Sequence, residues 1–410
     1  PCGLLGERLG HSYSPAIHAQ LGDYAYRLYE CPREKLGDFL KTGDFDGLNV
    51  TIPYKKAVIP YCAELSPMAA AIGSVNTLLR RPDGTLYGDN TDAFGFESLL
   101  RHASLDPKGK KCLVLGSGGA SVTVQAVLRH LGAGSVTVIS RSGEDNYHNL
   151  ARHQDAELIV NATPVGMYPG NGLAAVDLTA FPSCQGVADL IYNPARTALL
   201  LQAERLGIPS AGGLWMLVAQ AQRAAELFTG TDIPESVIPK ITASLRREME
   251  NVVLVGMPGS GKTTIAMALA EKLGRPVLDV DAAVVETAGC SIPTVFEREG
   301  EGGFRRRETA AIADLGKRSG VVIATGGGSV LRPENYDLLH QNGTIFWLQR
   351  DWRKLPTDGR PISQTRDLSE LLHERTPAYT RFADHIIDNN GTVEDTAAAI
   401  WRDFCAHSGS

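Results

Sequence analysis

The sequence predicts an α/β protein built on parallel sheets, and three observations predict it. Two short apolar runs, 111–115 and 252–255, each lead into a glycine-rich loop and then a helical pattern. Runs of that length without polar alternation are strands buried on both faces. Further strand-like runs at 135–139, 157–160 and 186–191 follow the first loop, with helical stretches expected between them, which is a βαβ rhythm. The two loops differ in glycine spacing, and only one continues into Lys262-Thr263. They are therefore two different nucleotide sites and not an internal duplication.

Composition bounds the rest. The chain has 410 residues, 43% apolar and 21% charged, enough for two or three domains at about 150 residues each. This excludes collagenous, coiled-coil and disordered classes. A net charge of −6 argues against a nucleic-acid-binding surface. No apolar run approaches the roughly 18 residues of a membrane span. The seven cysteines are scattered and form no C-x-x-C pair, so neither a zinc site nor a disulfide framework is indicated. Nothing near Pro1 resembles a signal segment, and a cytoplasmic protein is expected. The expected partners are small molecules, with neither nucleic acid nor membrane among them, and oligomeric state is not legible.

Taken in chain order, about 100 residues of mixed helix and strand come first, with a hairpin signal at Pro82-Asp83-Gly84. In this stretch 49–55 ends a strand at Pro53 and places Lys55 just beyond it, and Asp92 follows 37 residues later. A lysine beside an aspartate forms a charge pair whose ammonium can donate a proton to a developing alkoxide, although surface pairs of this kind are common. Ser12 and Ser14 offer two hydroxyls on a loop entering a helix, with an N-cap role as the alternative. The first glycine loop reads Gly116-x-Gly118-Gly119-Ala120-Ser121, a near relative of the dinucleotide fingerprint. Such a loop brings a pyrophosphate onto a helix N-terminus. The next strand ends at Ser140-Arg141-Ser142, where an acidic residue would select NAD. Arg141 can instead pair with a 2′-phosphate, so NADP is preferred and NAD remains the alternative.

Around 230–249 the chain turns polar, with Pro234, Pro239 and Arg246-Arg247-Glu248, and the main boundary is expected there. The second loop, Gly256-x-x-Gly259-Ser260-Gly261-Lys262-Thr263-Thr264, is a full P-loop in strand–loop–helix context. Its backbone N–H groups cradle phosphates, Lys262 reaches the β/γ-phosphates and the Thr263 hydroxyl can ligate Mg²⁺. Asp279 and Asp281 close the next strand at the edge where α/β ligands bind. One of them can hold the Mg²⁺ shell while the other accepts the proton of an attacking hydroxyl. Arg305, in a basic run opening a helix, can clamp a carboxylate, unless the run is a solvated face. Gly326-Gly327-Gly328 lets a ligand approach backbone, and Arg360-Pro361 lies in a polar stretch suited to a lid.

Two resemblances rest on these residues. The P-loop, Asp279-x-Asp281, Gly300-Glu301-x-x-Phe304-Arg305-x-x-Glu308, the triple glycine, Arg360-Pro361 and Arg375-x-Pro377-x-Tyr379 resemble shikimate kinase over about 250–405. That resemblance implies Asp281 as base, Asp279 and Thr263 at Mg²⁺, and Arg305, Arg375 and the Gly327 backbone on shikimate. Arg360 would reach the transferring phosphate, with ATP in the P-loop. Over about 1–230 the chain is similar to shikimate dehydrogenase, through His11-Ser12-x-Ser14-Pro15, 49–55, Gly73-x-Val75-Asn76-Thr77, Asn90-Thr91-Asp92, Asn161-Ala162-Thr163-x-x-Gly166-Met167 and Gly213-x-x-Met216-Leu217-x-x-Gln220-Ala221. Here the resemblance implies Lys55 and Asp92 as the catalytic pair. Ser12, Ser14, Thr51, Asn76 and Gln220 would bind the polyhydroxy acid, with Tyr192 near its carboxylate. NADP(H) would lie along Gly116, Gly118, Gly119, Ala120, Ser140, Arg141, Ser142 and Thr163, with Gly213 and Met216 near the nicotinamide.

The implied domains are a substrate domain at 1–98 and a Rossmann-like domain at 99–209. A helix at 210–232 would return to the first domain, a linker would follow at 233–250, and a P-loop kinase domain of the nucleoside-monophosphate-kinase type would occupy 251–410. One chain would then reduce 3-dehydroshikimate with NADPH and phosphorylate the product with ATP. The alternative is a shikimate or quinate dehydrogenase whose P-loop domain only senses nucleotide or plays a structural part.

Overall fold

The computed structural model describes residues 1–10, 12–355 and 367–408. It contains three sheets. The first is mixed, with strands β1 Cys2–Gly6, β2 Tyr26–Glu30, β3 Gly47–Val50, β4 Cys62–Leu65, β5 Thr77–Arg80 and β6 Leu86–Asp89 in the order β2-β1-β3-β5-β6-β4. The hairpin expected at Pro82-Asp83-Gly84 joins β5 and β6, which pair antiparallel. Leu5, Leu48, Val50 and Leu78 are buried on this sheet together with Tyr54, whose hydroxyl donates to the Cys31 carbonyl.

The second sheet is parallel throughout, with β7 Lys111–Leu115, β8 Ser135–Ile139, β9 Leu158–Asn161, β10 Gly186–Asp189 and β11 Ser210–Ala211 in the order β11-β10-β9-β7-β8. The strands lie where the apolar runs placed them. The helices expected between 139 and 157, and between 160 and 186, do not form. Those crossovers contain only the short 3₁₀ turns Leu150–His153 and Leu178–Ala180. In the first, the Asn146 and Asn149 side chains turn onto local backbone, donating to the Gly143 and Glu144 carbonyls, which competes with helix. In the second, Pro164, Gly166, Pro169, Gly170, Gly172 and Pro182 interrupt the stretch. After the first glycine loop a full helix, Gly119–His130, does form.

In the third sheet β12 Asn251–Val255, β13 Val277–Asp279, β14 Val322–Ala324, β15 Gly343–Gln349 and β16 His385–Asp388 run parallel in the order β13-β14-β12-β15-β16. Its β12 alternates between two cores. Val253 and Val255 face one with Ile323, Ile345 and Trp347, and Val252 and Leu254 face the other with Phe346, Ile265 and Phe404. Burial on both faces explains the unbroken apolar run.

The chain divides into two compact units, one of Pro1–Met167, Leu173–Tyr192 and Gln202–Thr242, the other of Tyr168–Gly172, Asn193–Leu201 and Ala243–Ser410. The first holds the first two sheets and the second holds the third. Much of the stretch read as a linker is the helix Val237–Met249. Within the first unit, helix Thr91–His102 lies against helix Leu214–Thr229 at Gly95. A Cβ there would stand 2.7 Å from the Met216 carbonyl oxygen. That close approach sets Gln220 beside Thr91. Among the described residues, no helix is long and apolar enough to cross a membrane.

Candidate active sites

In the first unit, β3 ends and the chain turns so that Lys55 faces the start of helix Thr91–His102. Asn90 caps this helix by accepting from the Ala93 N–H at 3.2 Å. That cap fixes Asp92 in the first turn. The Lys55 Nζ stands 2.5 Å from Asp92 Oδ2, with both side chains partly exposed. The Lys55 carbonyl accepts from Val75 N–H at 2.8 Å, and the Asn76 carbonyl accepts from Val50 N–H at 2.7 Å, which locks the three segments together. The pair implied by the resemblance is thus a direct ion pair.

Gln220 and Asn76 join this group through Thr91, whose hydroxyl lies 3.3 Å from Gln220 Oε1 and 3.0 Å from Asn76 Nδ2. Ser14 begins helix Ser14–His18, and its N–H donates to Ser12 Oγ at 3.2 Å. Neither hydroxyl caps that helix, so the N-cap alternative is not what the structure shows. The rings of Tyr13 and Tyr192 meet edge-on at 6.1 Å, which brings Tyr192 to the Ser12–Ser14 loop. The Thr51 methyl packs against Gly6, and its N–H donates to the Leu5 carbonyl. His11 lies outside the described residues.

The glycine loop after β7 opens toward β8 and β9. Gly116 N–H donates to the Ile139 carbonyl at 2.8 Å, which sets the loop beside the end of β8 and near Ser140, Arg141 and Ser142. A Cβ on Gly116 would come within 2.8 Å of the Thr163 methyl, whereas Gly118 and Gly119 have open space at the N-terminus of helix Gly119–His130. Ala120 follows in the helix's first turn. Bare backbone N–H groups facing open space fit a pyrophosphate. Arg141 is exposed, and Asp145 forms a 2.7 Å pair with His153. Gly213 packs so closely on the Leu190 carbonyl that no side chain fits there, and Met216 follows one turn on.

The second unit contains a cavity of about 480 Å³. The P-loop residues Gly259, Gly261, Lys262, Thr263 and Thr264 line one side, and Asp279, Asp281, Arg305, Gly327 and Arg375 line the rest. Gly256 and Ser260 shape the loop from behind it. The Lys262 ammonium donates to the carbonyls of Gly256 and Met257, each at 2.9 Å. The Thr263 hydroxyl donates to Asp279 Oδ2 at 2.8 Å, and Asp279 Oδ1 caps helix Val280–Ala288. This hydroxyl–carboxylate pair fits Mg²⁺, which takes one or two protein oxygens and completes its octahedron with phosphates and water.

Asp281 sits in the first turn of that helix, and burial pushes its carboxyl up to about 6, with the neighbouring Glu308 carboxylate adding to the effect. The Lys262 and Arg305 charges oppose this rise. Arg305 is 8% exposed, which disposes of the solvated-face alternative. Its guanidinium donates to Glu308 Oε2 at 2.7 Å, and its buried Nε has no protein partner among the described residues. Arg375 and Tyr379 both donate to the Gly327 carbonyl, at 3.0 and 2.5 Å. The oxygen of Gly327 is therefore occupied, and its N–H is the group left to meet a ligand. Arg360 lies outside the described residues.

Two participants carried no assigned role in the sequence reading. Glu308 is fully buried and holds Arg305 on one oxygen and the Ser329 hydroxyl, at 2.7 Å, on the other. Its spacing of three from Arg305 on a helix was the available signal. Arg350, just past β15, also lines the cavity, and nothing in its local sequence marks it.

Comparison with known proteins agrees with both halves. Residues 4–78 match the family model for the shikimate dehydrogenase substrate binding domain, and 213–238 match that for the shikimate 5'-dehydrogenase C-terminal domain. Residues 258–404 match the model for shikimate kinase. A shikimate dehydrogenase (NADP(+)) of Clostridium perfringens is 34% identical over 265 residues, covering 60% of this chain and 97% of that relative. A chorismate mutase/shikimate 5-dehydrogenase fusion protein from Clostridium acetobutylicum superposes with a TM-score of 0.57 at 37% identity, covering 60% of this chain and 96% of the other. The Thermus thermophilus shikimate 5-dehydrogenase, solved with NADP(H) and shikimate, gives 0.54 at 33% identity, covering 58% and 97%. The chain therefore belongs to the shikimate dehydrogenase family, and it carries a shikimate kinase domain behind that part.

Proposed function

We propose that this chain carries out two consecutive reactions, the NADPH-dependent reduction of 3-dehydroshikimate to shikimate and the ATP-dependent phosphorylation of shikimate at its 3-hydroxyl. One observation carries this reading: a Lys–Asp pair beside a dinucleotide-type loop and a P-loop cavity with an acceptor-side base occur in one polypeptide. A domain that only sensed nucleotide would have no use for Asp281, Arg305 and Arg375 around an acceptor.

In the first reaction the Gly116–Ala120 loop and Arg141 would hold NADPH by its pyrophosphate and 2′-phosphate, and the cofactor would supply the hydride. Lys55 protonates the oxygen of the ring ketone, and Asp92 orients the ammonium and balances its charge. Ser12 and Ser14 on one side, Asn76 and Gln220 on the other, and Thr51 and Tyr192 hold the polyhydroxy acid.

In the second, Arg305 and Arg375 take the carboxylate, and the Gly327 N–H adds a backbone contact. Asp281 accepts the proton of the attacking hydroxyl, while Lys262 neutralises charge on the transferring phosphoryl group. Thr263 and Asp279 would hold Mg²⁺, which would supply further positive charge against the phosphates. A cytoplasmic location, where NADPH and ATP are both at hand, is part of this proposal.

The test is a coupled assay on the purified chain with 3-dehydroshikimate, NADPH and MgATP. Oxidation of NADPH followed by shikimate-dependent ADP formation is expected, and absence of either sinks the corresponding half. A narrower test uses Gly327→Ala, because a Cβ there would stand 2.5 Å from the Pro258 ring. Overpacking of that kind costs about 1–3 kcal/mol. The expected result is about a tenfold fall in kinase kcat/KM, with unchanged dehydrogenase rates as control.

A further inference from the structure

The substrate amides Asn76 and Gln220 are the far members of a line of hydrogen bonds that begins at Tyr26, a residue with no part in the reaction described above. The Tyr26 hydroxyl donates to Asn49 Oδ1 at 2.7 Å. Asn49 Nδ2 donates to Thr77 Oγ1 at 3.3 Å, and Thr77 Oγ1 donates to Asn76 Oδ1 at 3.0 Å. Asn76 Nδ2 then donates to Thr91 Oγ1 at 3.0 Å, and Thr91 Oγ1 lies 3.3 Å from Gln220 Oε1. Asn49, Asn76, Thr77 and Thr91 are all buried. His18 stacks on Tyr26 with ring centroids 4.0 Å apart and holds the phenol in place.

The direction of the bonds at the two substrate amides follows from donor and acceptor counting. Asn76 Oδ1 accepts the backbone N–H of Thr91 at 2.7 Å, so this amide cannot be turned around. Gln220 Nε2 donates to the Leu217 carbonyl at 2.9 Å, which fixes the second amide independently. Thr91 has one hydroxyl proton and three acceptors within reach, Asn76 Oδ1 at 3.2 Å, Thr77 Oγ1 at 3.2 Å and Gln220 Oε1 at 3.3 Å. Asn76 Oδ1 is already filled by the Thr91 N–H and the Thr77 hydroxyl. Thr77 Oγ1 already accepts from Asn49, whereas Gln220 Oε1 accepts from no other described group, and the Thr91 proton is assigned to Gln220 on that ground. All five bonds point the same way, an arrangement in which each bond polarises and strengthens the next.

We propose that Thr91 and Tyr26 are positioning residues of the dehydrogenase, and that this one-directional line presents Asn76 and Gln220 to the substrate as N–H donors with their carbonyl oxygens turned away. Each amide keeps one N–H that meets no protein acceptor among the described residues. The substrate groups they meet must be oxygens able to accept, as the hydroxyls of a polyhydroxy acid are. A protonated amine at the same position has no lone pair to offer and is refused. This inference rests on the assignment of the Lys55–Asp92 site to the dehydrogenase reaction.

The experiment uses the full chain and steady-state shikimate oxidation with NADP. Thr91→Val removes the relay hydroxyl without touching the Asn90 cap, and Thr91→Ser keeps it. Losing one net hydrogen bond of about 1–1.5 kcal/mol corresponds to roughly a tenfold rise in KM for shikimate. The expected result for Thr91→Val is that rise with kcat changed less than about threefold. Thr91→Ser should return KM to within about twofold of the parent, and Tyr26→Phe should raise it by about three- to fivefold. The double variant Thr91→Val/Tyr26→Phe should raise KM beyond Thr91→Val alone, since a cut at Thr91 isolates Gln220 but leaves Tyr26 connected to Asn76. An unchanged KM in Thr91→Val, a serine variant as impaired as the valine one, or a double variant no worse than Thr91→Val each overturn the proposal. If Thr91→Val fails to fold, Tyr26→Phe and Thr91→Ser decide it alone: an unchanged KM in Tyr26→Phe, or a raised one in Thr91→Ser, overturns it. Lys55→Ala run alongside separates the two readings, because retained oxidation in that variant would remove the site itself.

Discussion

Lys55→Ala is expected to lower kcat for shikimate oxidation by about 10²–10⁴-fold, the usual worth of a positioned general acid. The ammonium stands 2.5 Å from Asp92 Oδ2, and its backbone is tied to Val75, so alanine removes the proton donor without displacing its neighbours. NADP affinity should hold, because the glycine loop lies on another sheet. Shikimate-dependent ATP turnover should also hold, because its groups belong to the other compact unit. Stopped-flow measurement of NADPH formation beside a coupled ADP assay on the same sample checks both statements. Loss of both activities together would mean that the two units depend on each other for folding or catalysis.

Asp281→Asn is expected to lower the phosphoryl-transfer rate by a comparable factor, about 10²–10⁴-fold, while shikimate oxidation is unchanged. The side chain is buried in the cavity beside Lys262, Arg305 and Glu308, and asparagine keeps its shape but cannot take the proton. A carboxyl pushed up to about 6 also predicts the pH profile. The base is ionised above that value, so kinase kcat/KM should be level near neutrality and fall about tenfold per unit once the pH drops below 6. The stability consequence has the opposite sense. A carboxyl whose folded pKa is raised is harder to ionise in the folded state, so it destabilises the fold above pH 6 and ceases to do so as the pH falls toward 4. The asparagine variant should accordingly melt higher than the parent at pH 7, and the difference should shrink on acidification. A variant that melts no higher at pH 7, or a profile flat to pH 5, would contradict the assignment.

Much of this was legible in the amino-acid order, for reasons that differ between elements. β7 and β12 are apolar runs because both of their faces are covered, and such runs are visible without any partner. The P-loop is legible because phosphate cradling needs a fixed local spacing. The Lys55–Asp92 contact joins residues 37 positions apart, and only a resemblance could pair them. The line from Tyr26 to Gln220 was illegible because its bonds cross three strands and two helices, and no local pattern encodes such a path. The missing crossover helices show the converse error. Rhythm suggested them, but asparagine side chains bonded to local backbone in one crossover, and glycine and proline in the other, decided the outcome. Arg305 shows tertiary context overriding composition, since a run of three arginines reads as surface and one of them is nonetheless 8% exposed.

The helix Ile292–Leu315 is two helices joined at Gly300, whose φ of +68° and ψ of −178° are open almost only to glycine. Ile292 and Phe296, before the joint, and Phe304, Arg305 and Glu308, after it, all line the same cavity. The greasy wall and the charged wall of the acceptor site thus meet at one glycine, and across it Phe296 stacks on Phe304 and Glu299 pairs with Arg307. Residues 297–300 are exposed, so amide hydrogen exchange should run faster there than over the buried part of 303–312. Any other residue at position 300 would strain the joint that sets both walls at once.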